Sequence, residues 1–130
     1  MQTNWSLKAT DDLNQMLKVR DDLESIQTKE YNKLLTMSHR FATSDDVLFP
    51  EPATLAYFSN LEDICLNTLE DAIYVAQDIH TGMLDIHIYT KDYDKTIHTL
   101  ISHLKYKPEF HVDFKVTQDE NWNIIKNIGN

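Results

Sequence analysis

Apolar and polar positions change period several times along this chain, and each change marks a new element. Between Lys33 and Ala42, the residues Leu35, Met37, His39 and Phe41 alternate with Leu34, Thr36, Ser38 and Arg40. A two-residue period of this kind predicts a strand. Thr43-Ser44-Asp45-Asp46 is a polar loop, and Pro52 suits the first turn of a helix, where its missing N–H costs nothing. Leu55, Phe58, Leu61, Cys65, Leu69 and Ala72 then recur on one helical face, predicting a helix over about residues 52–71.

Ile73 to Thr81 and Met83 to Lys91 are β-prone runs on either side of Thr81-Gly82. Glycine there can supply the positive φ of a tight turn, so the two runs predict an antiparallel hairpin. Asp92 or Asp94 can cap a further helix, with Ile97, Leu100, Ile101 and Leu104 as its apolar stripe and Pro108 as its stop. Phe110, Val112, Phe114 and Val116 alternate with His111, Asp113, Lys115 and Thr117, predicting a last strand. Trp122, Ile124, Ile125 and Ile128 give the tail enough apolar surface for a short docked helix. Toward the start, Asn4 to Ala9 is compatible with a short strand or an arm, has only Trp5 and Leu7 as strong apolar anchors, and is left unassigned. Thr10, followed by Asp11 and Asp12, reads as the cap of a helix over about 11–27 bearing Leu13, Met16, Leu17, Leu23 and Ile26.

From Lys33 to Thr117 the order is therefore β-α-β-β-α-β. That is the ferredoxin-like split arrangement, two helices over one face of a four-stranded antiparallel sheet, here with an added N-terminal helix and a short C-terminal helical tail. No repeat, low-complexity segment or Pro/Gly-rich linker divides the chain, so its 130 residues read as a single α+β domain.

Composition narrows the function more than the fold. Apolar residues at 42% and charged residues at 25% suit a globular protein rather than a disordered one. No apolar run approaches the ~18 residues of a membrane span and no signal-like segment follows Met1, so a cytoplasmic location is expected. A lone cysteine, Cys65, excludes an internal disulfide and a multi-cysteine metal site. Twelve basic against twenty-one acidic residues give a formal charge of −9, which repels phosphate backbones and anionic lipid. Nucleic acid and membranes are accordingly not expected as partners, whereas a basic protein is.

Phe49-Pro50, Leu61-Glu62-Asp63 in a helix, Thr81-Gly82 leading into Ile88-Tyr89, and Asp119 with Trp122 together resemble a bacterial family called domain of unknown function 695. The resemblance runs from Phe49 over roughly the last two-thirds of the chain. It departs from the family pattern at Met83-Leu84, after the glycine, and at Glu120, after the late aspartate. It implies an α+β fold and brings no catalytic residues with it.

Six histidines, His39, His80, His87, His98, His103 and His111, are the richest chemical resource. Alternation places Asp85, His87, Tyr89, His111, Asp113 and Lys115 on the polar face of the sheet, where imidazole and carboxylate could bind a metal or move protons. Against this stands the solvated face that alternation demands in any case, and no ligand-spacing motif is present, so no metal, cofactor or catalytic residue is expected. His98 and His103 are five apart and do not form the i, i+4 pair of a helical metal site. Cys65 shares its helical face with core positions and is expected to be inert. With only Gly82 and Gly129, the chain cannot build a phosphate-cradling loop.

Three function classes follow. The first is a small acidic protein-binding module of the inhibitor or immunity type, not an enzyme, that neutralises a basic enzyme such as a nuclease toxin. Asp45 and Asp46 would steer the partner, and Tyr57, Tyr89 and Tyr93 would grip it. The second is a metal-dependent or general-base enzyme on the His/Asp face. The third is a ligand-sensing or structural domain that forms a homodimer through its sheet.

Overall fold

A computed structural model describes residues 5–8, 15–20, 30–41, 52–80, 82–103 and 112–127. The elements are β1 (Trp5–Lys8), β2 (Met16–Arg20), β3 (Lys33–Arg40), α1 (Pro52–Asn67), β4 (Ala72–His80), β5 (Met83–Thr90), α2 (Tyr93–His103), β6 (Val112–Gln118) and α3 (Asn123–Asn127). The architecture is a mixed α+β one. All six strands join one sheet in the order β1-β2-β4-β5-β3-β6, and every neighbouring pair is antiparallel.

Both faces of this sheet are covered, by different elements. On one, Leu35 and Met37 of β3, Tyr74 and Ile79 of β4 and Ile86 and Ile88 of β5 pack with Phe58, Leu61 and Cys65 of α1 and Leu100 of α2. On the other, Leu17 and Val19 of β2, Leu34, Ala76 and Tyr89 pack with Trp122 and with Ile125 of α3. A bulge between Tyr74 and Ala76 turns Val75 and Ala76 to this second face together, because the extra residue breaks the two-residue alternation. Alternation along β3 and β5 thus serves a second core at the Leu34–Tyr89 end of this face, while Thr36, Ser38, Asp85 and His87 keep its other end polar.

The hairpin forms as its residues dictate, with Gly82 at φ 72° between β4 and β5. Of the two candidate caps for α2, Asp92 takes the role: its Oδ1 accepts from Lys95 N at 3.2 Å. The expected helix over 52–71 ends at Asn67 instead, because Asp71 turns the chain with φ 55° and β4 begins at Ala72.

The expected N-terminal helix over 11–27 is overturned at its centre. Met16–Arg20 is a strand, with Leu17 and Val19 buried and Met16, Lys18 and Arg20 half-buried. Val19 pairs with Ala76 and Leu17 with Asp78, so the edge of β4 supplies hydrogen bonds and burial that an isolated helix would lack. Leu13, Leu23 and Ile26, which suggested the helical period, lie outside the described residues. The Trp5 segment, which the sequence leaves unassigned, forms a strand and adds a sixth to a sheet expected to have four.

Candidate functional site

The second face of the sheet is apolar at one end and polar at the other. Its apolar end is closed by Asp119, Trp122 and α3. Asp119 Oδ1 and Oδ2 accept from Asn123 N at 2.9 Å and Ile124 N at 2.8 Å, capping α3. Asp119 Oδ2 also receives the Tyr89 hydroxyl at 2.6 Å, and the Trp122 indole stacks on the Tyr89 ring at 4.2 Å with 7° between planes. Trp122 Nε1 donates to Tyr31 O at 2.8 Å, tying the tail to the entry of β3. Burial and the neighbouring carboxylate push the Tyr89 phenol well above the ordinary tyrosine range. These contacts fix the tail to the sheet.

At the other end of the face, near the β4–β5 turn, the polar side chains gather around two carboxylates. Asp78 and Asp85 are directly opposed in the antiparallel register, and His80 lies on the same side of β4 two residues beyond Asp78. Two like charges in opposed positions repel unless a proton, a hydrogen-bond set or a cation sits between them. Here Ser38 Oγ donates to Asp85 Oδ1 at 2.7 Å, His80 Nε2 meets Asp85 Oδ2 at 2.9 Å, and Gln15 Nε2 donates to Asp78 Oδ1 at 2.9 Å. The three ligand atoms of Asp78, His80 and Asp85 lie within 4.8 Å of one another. Next along β5, His87 holds Thr36 Oγ1 through Nδ1 at 3.1 Å. Its imidazole is lowered below the ordinary histidine range by burial, although the charges of Asp85 and Asp78 pull the other way.

The expected site residues fall into separate places. Tyr89 sits on the face that alternation assigned it but is fully buried, 0% exposed, because Trp122 covers it; it is a core residue and not a surface anchor. Tyr57 is half-buried and turned inward, its hydroxyl 3.1 Å from His39 Nε2. Tyr93 alone of the three is exposed, at 39%. Asp45, Asp46 and His111 lie outside the described residues. His98 and His103 are exposed on α2, while His39 is buried against Phe58 and its imidazole is lowered by that burial. Cys65 is buried on α1, and burial pushes its thiol up to about 12, with the Glu62 charge adding to the effect. Asp78 and His80 escaped the reading of the polar face, which took in only β5 and the last strand. The turn at Thr81-Gly82 carries the missing signal, since a tight hairpin there brings Asp78 opposite Asp85.

A second acidic feature lies at the opposite end of the β4–β5 hairpin. Tyr93 stands between Asp92 and Asp94 at the start of α2. Lys95 Nζ reaches Glu70 Oε2 at 3.0 Å and Asp71 Oδ2 at 3.7 Å, so the turn before β4 and the first turn of α2 form one exposed surface. The cationic side chains among the described residues there are Lys95, tied to Glu70 and Asp71, and Lys91, which precedes Asp92 and pairs with Glu30.

A family of unknown function (DUF695) matches residues 4–127, and the chain belongs to that family. The match takes in β1 and β2 as well as the later segment that the residue patterns had suggested. No curated protein and no solved structure matches the chain. The family residues Asp119 and Trp122 act, in this chain, as the cap and lid of the buried Tyr89.

Proposed function

We propose that this protein is a small acidic protein-binding module, of the inhibitor or immunity type, that holds a basic enzyme such as a nuclease toxin and covers its cationic surface. One observation carries the reading: an exposed tyrosine, Tyr93, flanked by Asp92 and Asp94 at the first turn of α2, the turn whose Lys95 is bridged to Glu70 and Asp71. An aromatic anchor inside a charged rim is the anatomy of a tight, electrostatically steered interface. The formal charge of −9 accelerates the approach of a cationic partner, and nuclease surfaces are cationic because they hold phosphates. The inhibitor reading requires no catalytic group, and the buried, high-pKa Cys65 and the inward-turned His39 accord with that. It also goes with a cytoplasmic setting.

The finer fold reading supports the same class. We take β3-α1-β4-β5-α2-β6 as a ferredoxin-like split unit extended by β1 and β2. The strand order β4-β5-β3-β6 and the shared core of α1 and α2 favour it. In such a unit α2 and the turn before β4 emerge at one end, which is where Tyr93 lies.

The test is co-expression with the basic product of a neighbouring toxin-like gene. A one-to-one complex on size exclusion, and restored growth that Tyr93→Ala abolishes, are the expected results. No complex with any basic neighbour, or a complex indifferent to Tyr93, would remove the reading.

A further inference from the structure

The polar cluster beside the β4–β5 turn lies some six residues along β4 from the Tyr93 surface, roughly 20 Å at the rise of a strand. It is therefore separate from the docking surface. We propose that Asp78, His80 and Asp85 form a binding site for a divalent zinc-class cation at the half-exposed polar end of the second sheet face.

The donor set and its placement both point to a metal. Imidazole with two carboxylates is a zinc-type donor combination, and all three come from the two strands of one tight hairpin, whose register holds their backbone positions. Zinc–ligand distances of about 2.0–2.2 Å put tetrahedral donors roughly 3.3–3.5 Å apart. The donors here lie within 4.8 Å of one another, so the widest separation exceeds that spacing by no more than about 1.5 Å. A cation between Asp78 and Asp85 also removes the repulsion of two carboxylates opposed across the ladder.

The surrounding residues are arranged to support it. Ser38 from β3 donates to Asp85 Oδ1, and Gln15, just before β2, donates to Asp78 Oδ1. Each carboxylate is thus oriented through one oxygen by a neutral donor from outside the hairpin. Such outer partners fix ligand geometry around a metal without competing for its charge. His80 Nε2 lies 2.9 Å from Asp85 Oδ2 and donates its proton to that carboxylate. On binding, Nε2 would give up this proton, the neutral ring keeping its one proton on Nδ1, so that its lone pair faces the metal and the cation takes over the bridging role. Three protein ligands leave a fourth position to water or an exogenous ligand.

Metal-stripped full-length protein is dialysed against zinc alone, and cobalt(II) substitution reads the ligand geometry by its visible spectrum. The expected result is one zinc per chain and a tetrahedral cobalt spectrum. His80→Ala should abolish both, Ser38→Ala should weaken binding about tenfold through the lost support of Asp85, and His98→Ala on α2 should change nothing. Should His80→Ala fail to fold, imidazole resonances of the unmodified protein are followed during a zinc titration: His80 should shift, and His98 and His103 should not. Absence of zinc uptake, uptake unaltered in a folded His80→Ala, or resonance shifts confined to His98 and His103 would each overturn the assignment. None of these readouts involves a basic protein partner, so they stand or fall apart from the inhibitor reading.

Discussion

The hydroxyl of Tyr89 donates to Asp119 Oδ2 at 2.6 Å, and the same carboxylate caps α3 through Asn123 N and Ile124 N. One side chain therefore joins the centre of the sheet to the C-terminal tail. Asp119→Ala removes the cap and leaves a buried phenol without its acceptor. A lost cap costs typically about 1 kcal/mol and an unsatisfied buried donor about 1–3 kcal/mol. We expect Asp119→Ala to lose about 2–4 kcal/mol in urea unfolding, while Glu120→Ala, one residue on and exposed, stays within about 0.5 kcal/mol.

Stability should fall on both sides of neutrality, for reasons that can be assigned. His39 and His87 are held below the ordinary histidine value of 6.5 by burial, so the unfolded chain binds protons there that the folded chain does not. Their contribution is present above pH 6.5 and is lost as the pH falls from there through their folded values, with a slope of at most about 2.7 kcal/mol per pH unit for two protons. Tyr74 and Tyr89 are raised by burial, so their contribution holds below the unfolded value of 10 and declines as the pH rises beyond it. Denaturant midpoints measured from pH 4 to 11 should trace a plateau between these two limits. A profile that is flat from pH 6.5 down to 4 would contradict the placement of both histidines.

The parts of the fold that read clearly in the sequence are those where one local signal suffices. Pro52 and the Phe58–Leu61–Cys65 stripe announce α1, Gly82 announces the hairpin, and Asp92 announces α2. What failed was the segment around Leu17 and Val19, because its conformation is decided by a partner far along the chain. Val19 pairs with Ala76, and Lys18 reaches Glu62 of α1 at 2.7 Å while lying 4.8 Å over the Trp5 ring. No local period encodes contacts of that range, and tertiary pairing overrides a weak helical pattern. The candidate site shows the same division. Alternation alone places Asp85 and His87 on a common face, but Asp78 and His80 join them only once the hairpin register is known. Tyr89 illustrates the converse: its face is right, yet burial under Trp122 depends on how the tail returns.

Cys65 should be unreactive in the native protein. It is 3% exposed, and burial with the Glu62 charge pushes its thiol up to about 12, so almost no thiolate exists near neutrality. Ellman's reagent at pH 8 should leave the folded chain unlabelled over hours and react with one thiol per chain in urea. Rapid native labelling would mean that the α1 face opens far more readily than its packing against Phe58 and Leu61 implies.

If the proposed docking on Tyr93 holds, its surface would separate two kinetic effects that a single interface usually mixes. Asp94 and Glu70 are exposed, so in that complex their charges would act mainly on the encounter, and the exposed Tyr93 would be desolvated after it. Reversal of both acids, Asp94→Lys with Glu70→Lys, should slow association with a basic partner and flatten its dependence on salt, because rim charges set the approach. Asp92 is left intact in that variant, since it caps α2 through Lys95 N. Tyr93→Ala should leave association within a few-fold and speed dissociation about 30-fold, the rate equivalent of a hot spot worth ~2 kcal/mol. Surface plasmon resonance with the basic partner at two salt concentrations reads both effects. Equal changes in association and dissociation from both variants, or none from Tyr93→Ala, would place the grip elsewhere on the molecule.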